Sequence, residues 1–282
     1  MSVPTSPLDP GPWARELEVA ARLAREAAAV IRRHYEASSL AITRKADGSP
    51  VTAADLEADA LIAHGLGEAF PGDAIRSEES STQSPAGASR VWIVDPLDGT
   101  RDFLERSGDF AVHIALAVSG RPVVAAVALP ALGGLYLAVR GSGAICHTGS
   151  GAPRSLQVDR TRPLAEYRTG ITRTAPSKAL DCFLDRSGLR AGAVARGASV
   201  KQMLLAEGAL DLCITLHDLE SEWDSCAPGL IVEEAGGRVT DVDGCPLRYT
   251  QADPRHRRGV VMSAGPHHDA ILAAARACLP PR

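Results

Sequence analysis

The amino-acid sequence predicts a mixed α+β / α/β protein, with helices on a largely antiparallel sheet in its first half and alternating strands and helices in its second. Three observations carry this reading. Apolar residues recur at helical spacing from Trp13 to about Tyr35, β-branched runs joined by a tight turn occupy 110–129, and short apolar runs alternate with helical segments beyond Ile171.

In the first helix Leu17, Ala20, Ala21, Ala24, Ala28 and Ile31 share a face, with Arg and Glu between them. The stretch Lys45-Ala46-Asp47-Gly48-Ser49-Pro50 is turn-forming. Thr52, with Asp55 three residues on, reads as the N-cap of a second helix to about Phe70. Ala74–Ser77 is extended, Ser80–Ser89 is a polar loop, and Val91-Trp92-Ile93-Val94 is a buried-type strand. Phe110–Val118 and Pro122–Leu129 make a hairpin through Ser119-Gly120-Arg121, and Leu135–Val139 adds a strand. Beyond Gly149-Ser150-Gly151-Ala152-Pro153, strands are expected at Ile171, Leu212–Thr215 and Gly259–Ser263. Helices are expected at Val200–Glu207, Trp223–Ala235 and Asp269–Cys278. The chain thus divides into expected domains at 13–158 and 159–282.

At 282 residues the chain suffices for one large or two moderate domains. Its 45% apolar and 23% charged content is that of an ordinary globular protein and excludes wholesale disorder. A formal net charge of −4 argues against a nucleic-acid or anionic-membrane partner, since both need a concentrated basic face. The expected ligand is a small molecule. The six cysteines lie far apart with no C-x-x-C pair, so neither a zinc cage nor a redox dithiol is expected, and a reducing cytosol suits them. The polar, proline-rich start has no apolar leader, and no apolar run approaches the roughly 18 residues of a membrane span. A cytoplasmic location is expected.

The sharpest motif is Val94-Asp95-Pro96-Leu97-Asp98-Gly99-Thr100, which carries two carboxylates three residues apart off the end of a hydrophobic strand. Pro96 removes a backbone donor and Gly99 permits a sharp turn, so both carboxylates and the Leu97 carbonyl can point one way. That is an oxygen-lined cup, suited to a hard divalent cation. Taken alone it is equally an Asp-rich turn. Glu78-Glu79 alone is a solvated pair, and Asp224 alone is a first-turn carboxylate favoured by the helix dipole.

Together, Ser77-Glu78-Glu79, Asp95-Pro96-Leu97-Asp98-Gly99-Thr100 and Trp223-Asp224 resemble, in order and spacing, the inositol monophosphatase superfamily. The likeness runs from Thr52–Asp55 to Glu233-Glu234-Ala235-Gly236-Gly237. It implies a layered αβαβα sandwich of the inositol monophosphatase / fructose-1,6-bisphosphatase type, in a family whose members are usually dimeric. It implies two to three Mg2+ per site. Glu78, Asp95 and the Leu97 carbonyl would hold one ion, Asp95, Asp98 and Asp224 a second, and a third would sit near Glu78, mostly on water. Asp98, Gly99 and Thr100 would face the phosphate, and the Thr100 hydroxyl, paired with Asp55, would orient the attacking water beside Glu78. Asp55 therefore has two readings, as a capping-box residue and as catalytic support. Two ions sharing Asp95 would lie about 3.5–4 Å apart, the usual separation for in-line phosphoryl chemistry.

Several segments look like the bacterial 3′(2′),5′-bisphosphate nucleotidases of the CysQ type: Asp47–Asp55, Gly108–Leu116, Gly197-Ala198-Ser199-Val200-Lys201, Glu222–Pro228 and Pro246-Leu247-Arg248-Tyr249. That branch implies hydrolysis of the 3′-phosphate of 3′-phosphoadenosine 5′-phosphate, and of its 5′-phosphosulfate relative, with lithium sensitivity and a place in sulfur metabolism. It places Lys201, with Ser199, at the nucleotide's second phosphate; otherwise Lys201 is a solvated helix residue. Thr172-Arg173-Thr174 matches the branch only in part. Cys226, where alanine is usual, should turn about 200° away from Asp224 into packing. His113 reads as a core histidine, and His217, Asp218 and Glu220 as a solvated loop. The alternatives are an inositol 1-phosphate or related polyol phosphatase, and a catalytically silent metal- or nucleotide-binding protein.

Overall fold

The computed structural model describes residues 8–37, 42–44, 50–79, 88–149, 151–173, 177–197, 199–218 and 220–279. The Lys45–Ser49 part of the expected turn, residues 80–87 of the polar loop, Ser150, Thr174 and Ala198 lie outside them.

In chain order the elements begin with α1 (Ala14–Glu36), β1 (Ile42–Arg44), β2 (Pro50–Thr52), α2 (Ala53–Ala69), β3 (Ala74–Ser77), β4 (Arg90–Asp98) and α3 (Thr100–Leu104). A meander follows: β5 (Ala111–Val118), β6 (Arg121–Leu129), β7 (Gly134–Val139), β8 (Gly143–Thr148) and β9 (Arg154–Ser155). The remainder is β10 (Thr169–Thr172), α4 (Lys178–Ser187), β11 (Ala193–Arg196), α5 (Val200–Ala206), β12 (Leu212–Thr215), α6 (Glu222–Glu234), β13 (Arg238–Thr240), β14 (Val260–Ser263) and α7 (His268–Arg276). Seven strands form one sheet in the order β3-β4-β5-β6-β7-β8-β9, in which β3 and β4 alone run parallel. Five form a second, β11-β10-β12-β14-β13, with β10 parallel to both of its neighbours.

Side-chain alternation along the strands turns these sheets into five layers. Trp92 and Val94 of β4 enter a core with Leu23 and Ile31 of α1 and Ile62 and Leu66 of α2. Val91 and Ile93 enter another, shared with Met203 of α5, Leu230 and Ile231 of α6, and Cys213 and Met262 from the second sheet. On that sheet's outer face Leu212, Ile214 and Val261 pack against Phe183 of α4 and Ile271 of α7. The result is the αβαβα sandwich. Strands covered on both faces are apolar on both, which is why they read as continuous runs in the sequence.

The structure departs from the sequence expectation in places. Pairing does not stop at Val94; β4 stays opposite β5 to Asp98, with a register irregularity between Asp95 and Asp98. The carboxylates thus stand in a bulged strand end, which re-aims side chains without leaving the sheet. Strands β1, β2, β8, β9, β11 and β13 were not anticipated, and most are too short to show a period. Helix α4 was also not anticipated, although Ser177 caps it by accepting from the Leu180 N–H and Gly188 ends it at φ 73°. Among the described residues no helix is long and apolar enough to cross a membrane.

The expectation that a reducing cytosol suits the cysteines is corrected at one pair. Cys182 of α4 and Cys278, just past α7, form a disulfide across 96 residues, a separation from which no pairing could be read. Closing so long a loop stabilises by about 2–4 kcal/mol. Reduction, or Cys182→Ser, is expected to lower the calorimetric midpoint by roughly 5–10 °C. An unshifted midpoint would mean that the bond adds nothing.

Candidate metal-dependent active site

Strand β3 runs parallel to β4 with Ser77 level with Val94, so the chain leaving β3 sets Glu78 beside the end of β4. The Glu78 N–H donates to the Val94 carbonyl at 3.2 Å. Asp224 arrives in the first turn of α6, where its carboxylate accepts the Ser221 N–H at 2.6 Å in a capping box. One oxygen from each of Asp95, Asp98 and Asp224 lies within 4.8 Å of the other two. Glu78, Leu97, Gly99 and Thr100 line the same cavity, of about 350 Å³. The structure therefore brings together the acids that the sequence singled out.

Asp95 is fully buried. Its Oδ1 accepts the Leu97 N–H at 3.0 Å, whereas Oδ2 has no hydrogen-bond partner among the described residues. An unpartnered buried carboxylate oxygen is costly. Burial, together with the charges of Glu78, Asp98 and Asp224, holds the Asp95 carboxyl well above the usual range. Burial, then Asp98 and Glu78, does the same to Asp224. A divalent cation relieves all of these stresses at once. The donors are all hard oxygens, one of them orphaned, and they fit magnesium.

Neighbouring side chains fix the acids in place. Ser199 donates to Asp98 Oδ2 through its N–H and its hydroxyl, both at 2.8 Å. The hydroxyl proton expected to meet a second phosphate is thus directed at Asp98. His113, buried and with its pKa lowered by that burial, sets Nδ1 3.0 Å from the Trp223 carbonyl and Nε2 3.4 Å from Asp98 Oδ2. Its role in the core is as expected at Nδ1, while Nε2 faces the acid cluster.

Asp55 takes the capping role of the first reading and also reaches Thr100, the contact that the second reading requires. Oδ2 accepts from the Thr52 N–H at 2.8 Å and the Thr52 hydroxyl at 2.6 Å, closing the capping box of α2. Oδ1 accepts the Thr100 hydroxyl at 3.1 Å. Burial raises the Asp55 carboxyl, and the Thr52 and Thr100 hydrogen bonds oppose that rise. Gly99, at φ 89°, turns the chain from β4 into α3, a left-handed conformation that a side chain would disfavour.

Lys201 is 6% exposed and lines the cavity, so the solvated alternative for it is corrected. Glu220, read as solvated, is also buried in the cavity wall. Burial raises its carboxyl against the lowering effects of Thr215 and Lys201. Asp218 does remain exposed, beside Arg257. Arg101, Gln202, Thr215 and Thr172 also line the cavity, as do Pro50, Asp102 and His217, the last half-buried where a solvated loop was expected. Arg101 follows the Asp95–Thr100 motif and Gln202 follows Lys201, Thr172 opens the partly matching Thr172-Arg173-Thr174 segment, and Thr215 ends an expected strand; none of these four was singled out for the site by sequence. Cys226 is buried in the inner core with Ala227 and Leu230, away from the cavity as expected.

Residues 13–279 match the model of the inositol monophosphatase family. The chain belongs to the inositol monophosphatase family. Its curated relatives include the 3′(2′),5′-bisphosphate nucleotidase CysQ of Salmonella typhimurium, 35% identical over 237 residues, which cover 83% of this chain and 94% of the relative. They also include the histidinol-phosphatase of Mycobacterium tuberculosis, 33% identical over 260 residues, 91% of this chain and 96% of the relative. Among solved structures, CysQ from Bacteroides thetaiotaomicron superposes with a TM-score of 0.76 at 28% identity, covering 88% of this chain and 97% of that one. This member of the family is a phosphatase, and the family is magnesium-dependent.

The raised carboxyls set a pH dependence for the metal-free enzyme. Asp95 and Asp224 titrate above the usual 3.8 when folded, so folding favours their protonated forms. That contribution is complete below the unfolded value and is lost as pH rises through the folded values. Mg2+ is therefore expected to raise the melting midpoint more at about pH 8 than at about pH 5. Asp95→Asn should raise the metal-free midpoint at the higher pH and remove most of the Mg2+ shift. Equal Mg2+ shifts at both pH values would contradict this electrostatic account.

Proposed function

We propose that this phosphatase hydrolyses the 3′-phosphate of 3′-phosphoadenosine 5′-phosphate to AMP and inorganic phosphate, and acts likewise on 3′-phosphoadenosine 5′-phosphosulfate. In this reading Glu78, Asp95, the Leu97 carbonyl, Asp98 and Asp224 hold two to three Mg2+. The observation that carries it is the convergence of Asp95, Asp98 and Asp224 oxygens within 4.8 Å in a cavity also walled by Glu78 and Lys201. The likeness to the CysQ nucleotidases, at 35% identity, supports the choice of ester. This reading takes the enzyme to be cytoplasmic, as its composition suggests, and a homodimer, as the family resemblance implies, with 13–158 and 159–282 as its domains.

The ions, when bound, neutralise the phosphate, acidify a water and stabilise the leaving oxygen. The chain supplies the rest. Asp55 accepts the hydrogen bond of the Thr100 hydroxyl, leaving the lone pairs of the Thr100 oxygen to accept from and orient the attacking water beside Glu78. Asp98 and the N–H groups of Gly99 and Thr100, where the chain turns into α3, face the scissile phosphate. Ser199 acts through Asp98, which it holds with two hydrogen bonds. Lys201, desolvated in the wall, is the point charge for the second phosphate.

A second reading is histidinol phosphate, favoured by the 33% identity to a histidinol-phosphatase over more of this chain and by the Glu220 carboxylate, which could meet a substrate ammonium. Phosphate release should be measured across 3′-phosphoadenosine 5′-phosphate, histidinol phosphate, inositol 1-phosphate and fructose 1,6-bisphosphate. The bisphosphate nucleotide is expected to give the highest kcat/KM, and a preference for either monophosphate would sink the assignment. Asp98→Ala and Asp224→Ala should abolish turnover with little loss of the metal-free midpoint, because the repulsion relieved by removing one acid offsets the hydrogen bonds lost with it. Lys201→Ala should raise KM for the bisphosphate about tenfold more than for a monophosphate. Equal effects would make Lys201 a bystander.

A further inference from the structure

Arg76 and Glu222 form an ion pair that neither motif reading nor the cavity itself accounts for. Arg76 lies on β3, two residues before Glu78, and Glu222 opens α6, two residues before Asp224. The Arg76 Nη1 donates to Glu222 Oε2 at 2.7 Å and to the Gln251 carbonyl at 2.8 Å. Glu222 Oε1 accepts the Gln251 N–H at 2.8 Å, and the Glu222 N–H donates to the Pro254 carbonyl at 2.8 Å. The side chains are 15% and 1% exposed, and neither residue lines the cavity.

A buried ion pair seldom stabilises a fold more than apolar side chains in its place would, so its contribution here has to be sought in geometry. Helix α6 rests on the seven-stranded sheet through Cys226, Ala227, Leu230 and Ile231. Apolar contacts of that kind are non-directional, so the directional ties at the start of α6 are the His113 contact to the Trp223 carbonyl, which reaches β5, and the Arg76 pair, which reaches β3. Glu78 and Asp224 repel each other across the cavity, each joining Asp98 in the charge around Asp95. The soft motion is therefore the one that would separate β3 from the start of α6. The Arg76 Nη1, donating to both Glu222 and the Gln251 carbonyl, opposes that motion directionally.

We propose that the Arg76–Glu222 pair is a positioning device for the metal site, locking the N-terminus of α6 to β3 so that Glu78 and Asp224 stay within reach of shared cations. It rests on the reading that these acids bind divalent ions, and not on which ester is cleaved.

Charge and position predict opposite signs for one variant. Arg76 is a cation two residues from Glu78, so by charge alone Arg76→Met tightens cation binding, whereas loss of positioning weakens it. Binding of Mn2+ to the metal-free protein should be followed by electron paramagnetic resonance, with melting midpoints alongside and half-saturating Mg2+ for phosphate release as a second readout. Arg76→Met is expected to weaken Mn2+ binding about tenfold or more, and Arg76→Lys much less. Unchanged or tighter binding by Arg76→Met overturns the proposal. Because stranding Glu222 destabilises the fold, the double variant Arg76→Met/Glu222→Leu keeps local net charge constant and removes the stranded carboxylate. Its midpoint should recover while Mn2+ affinity stays low. Recovery of both would show that the pair serves folding alone. Wild-type protein that binds no Mn2+ would instead remove the metal reading, a result distinguishable from either.

Discussion

Mutual repulsion among the acids of one cavity is the constraint on which the rest of this structure depends. Glu78, Asp95, Asp98 and Asp224 come from three segments, and Glu78, Asp98 and Asp224 each raise the electrostatic cost of ionising Asp95. Left to itself such a cluster would disperse or stay protonated. Here strand pairing, a bulged strand end and a capped helix hold it together. The unpartnered Oδ2 of Asp95 shows that the protein alone does not satisfy it. Stability is thus partly invested in a site that a cation completes, as is common where local structure serves function.

The ties that hold the acids share a pattern. Each proposed ligand, or the segment that bears it, is fixed by hydrogen bonds that also perform a local structural task. Asp224 caps α6 through the Ser221 N–H. Asp98 receives both donors of Ser199 at the start of α5. Thr52 and Asp55 close the N-terminus of α2, and Asp55 reaches on to Thr100. The starts of three helices, α2, α5 and α6, are thereby tied to the acids or to Thr100, with their positive dipole ends near the site. An anionic substrate meets a favourable field there even on walls that lack basic side chains.

The family and its phosphatase chemistry follow from the acids, while the choice of ester follows from the opposite wall. That wall carries Lys201 and Arg101 together with Glu220, so it presents both signs of charge to a substrate. Relatives at similar identity act on a bisphosphate nucleotide or on an amino alcohol phosphate. The same metal cup serves either ester, because binding of the remote part of a substrate is set by groups outside the cup.

The sequence by itself determined the acid motifs, the long helices, the β5–β6 hairpin and the capping role of Thr52 and Asp55. These are local: a spacing of three residues, a helical period or a turn dipeptide is complete within a few positions, and the physics that reads it is short-ranged. The bulge that keeps Asp95 and Asp98 within the sheet, the burial of Lys201 and Glu220, the Ser199–Asp98 tie, the Arg76–Glu222 pair and the Cys182–Cys278 disulfide were decided only in three dimensions. Each depends on groups far apart in the chain. Burial and pairing are properties of what packs around a residue, and no local pattern at Arg76, Lys201 or Cys182 encodes the neighbour that the folded sheets deliver.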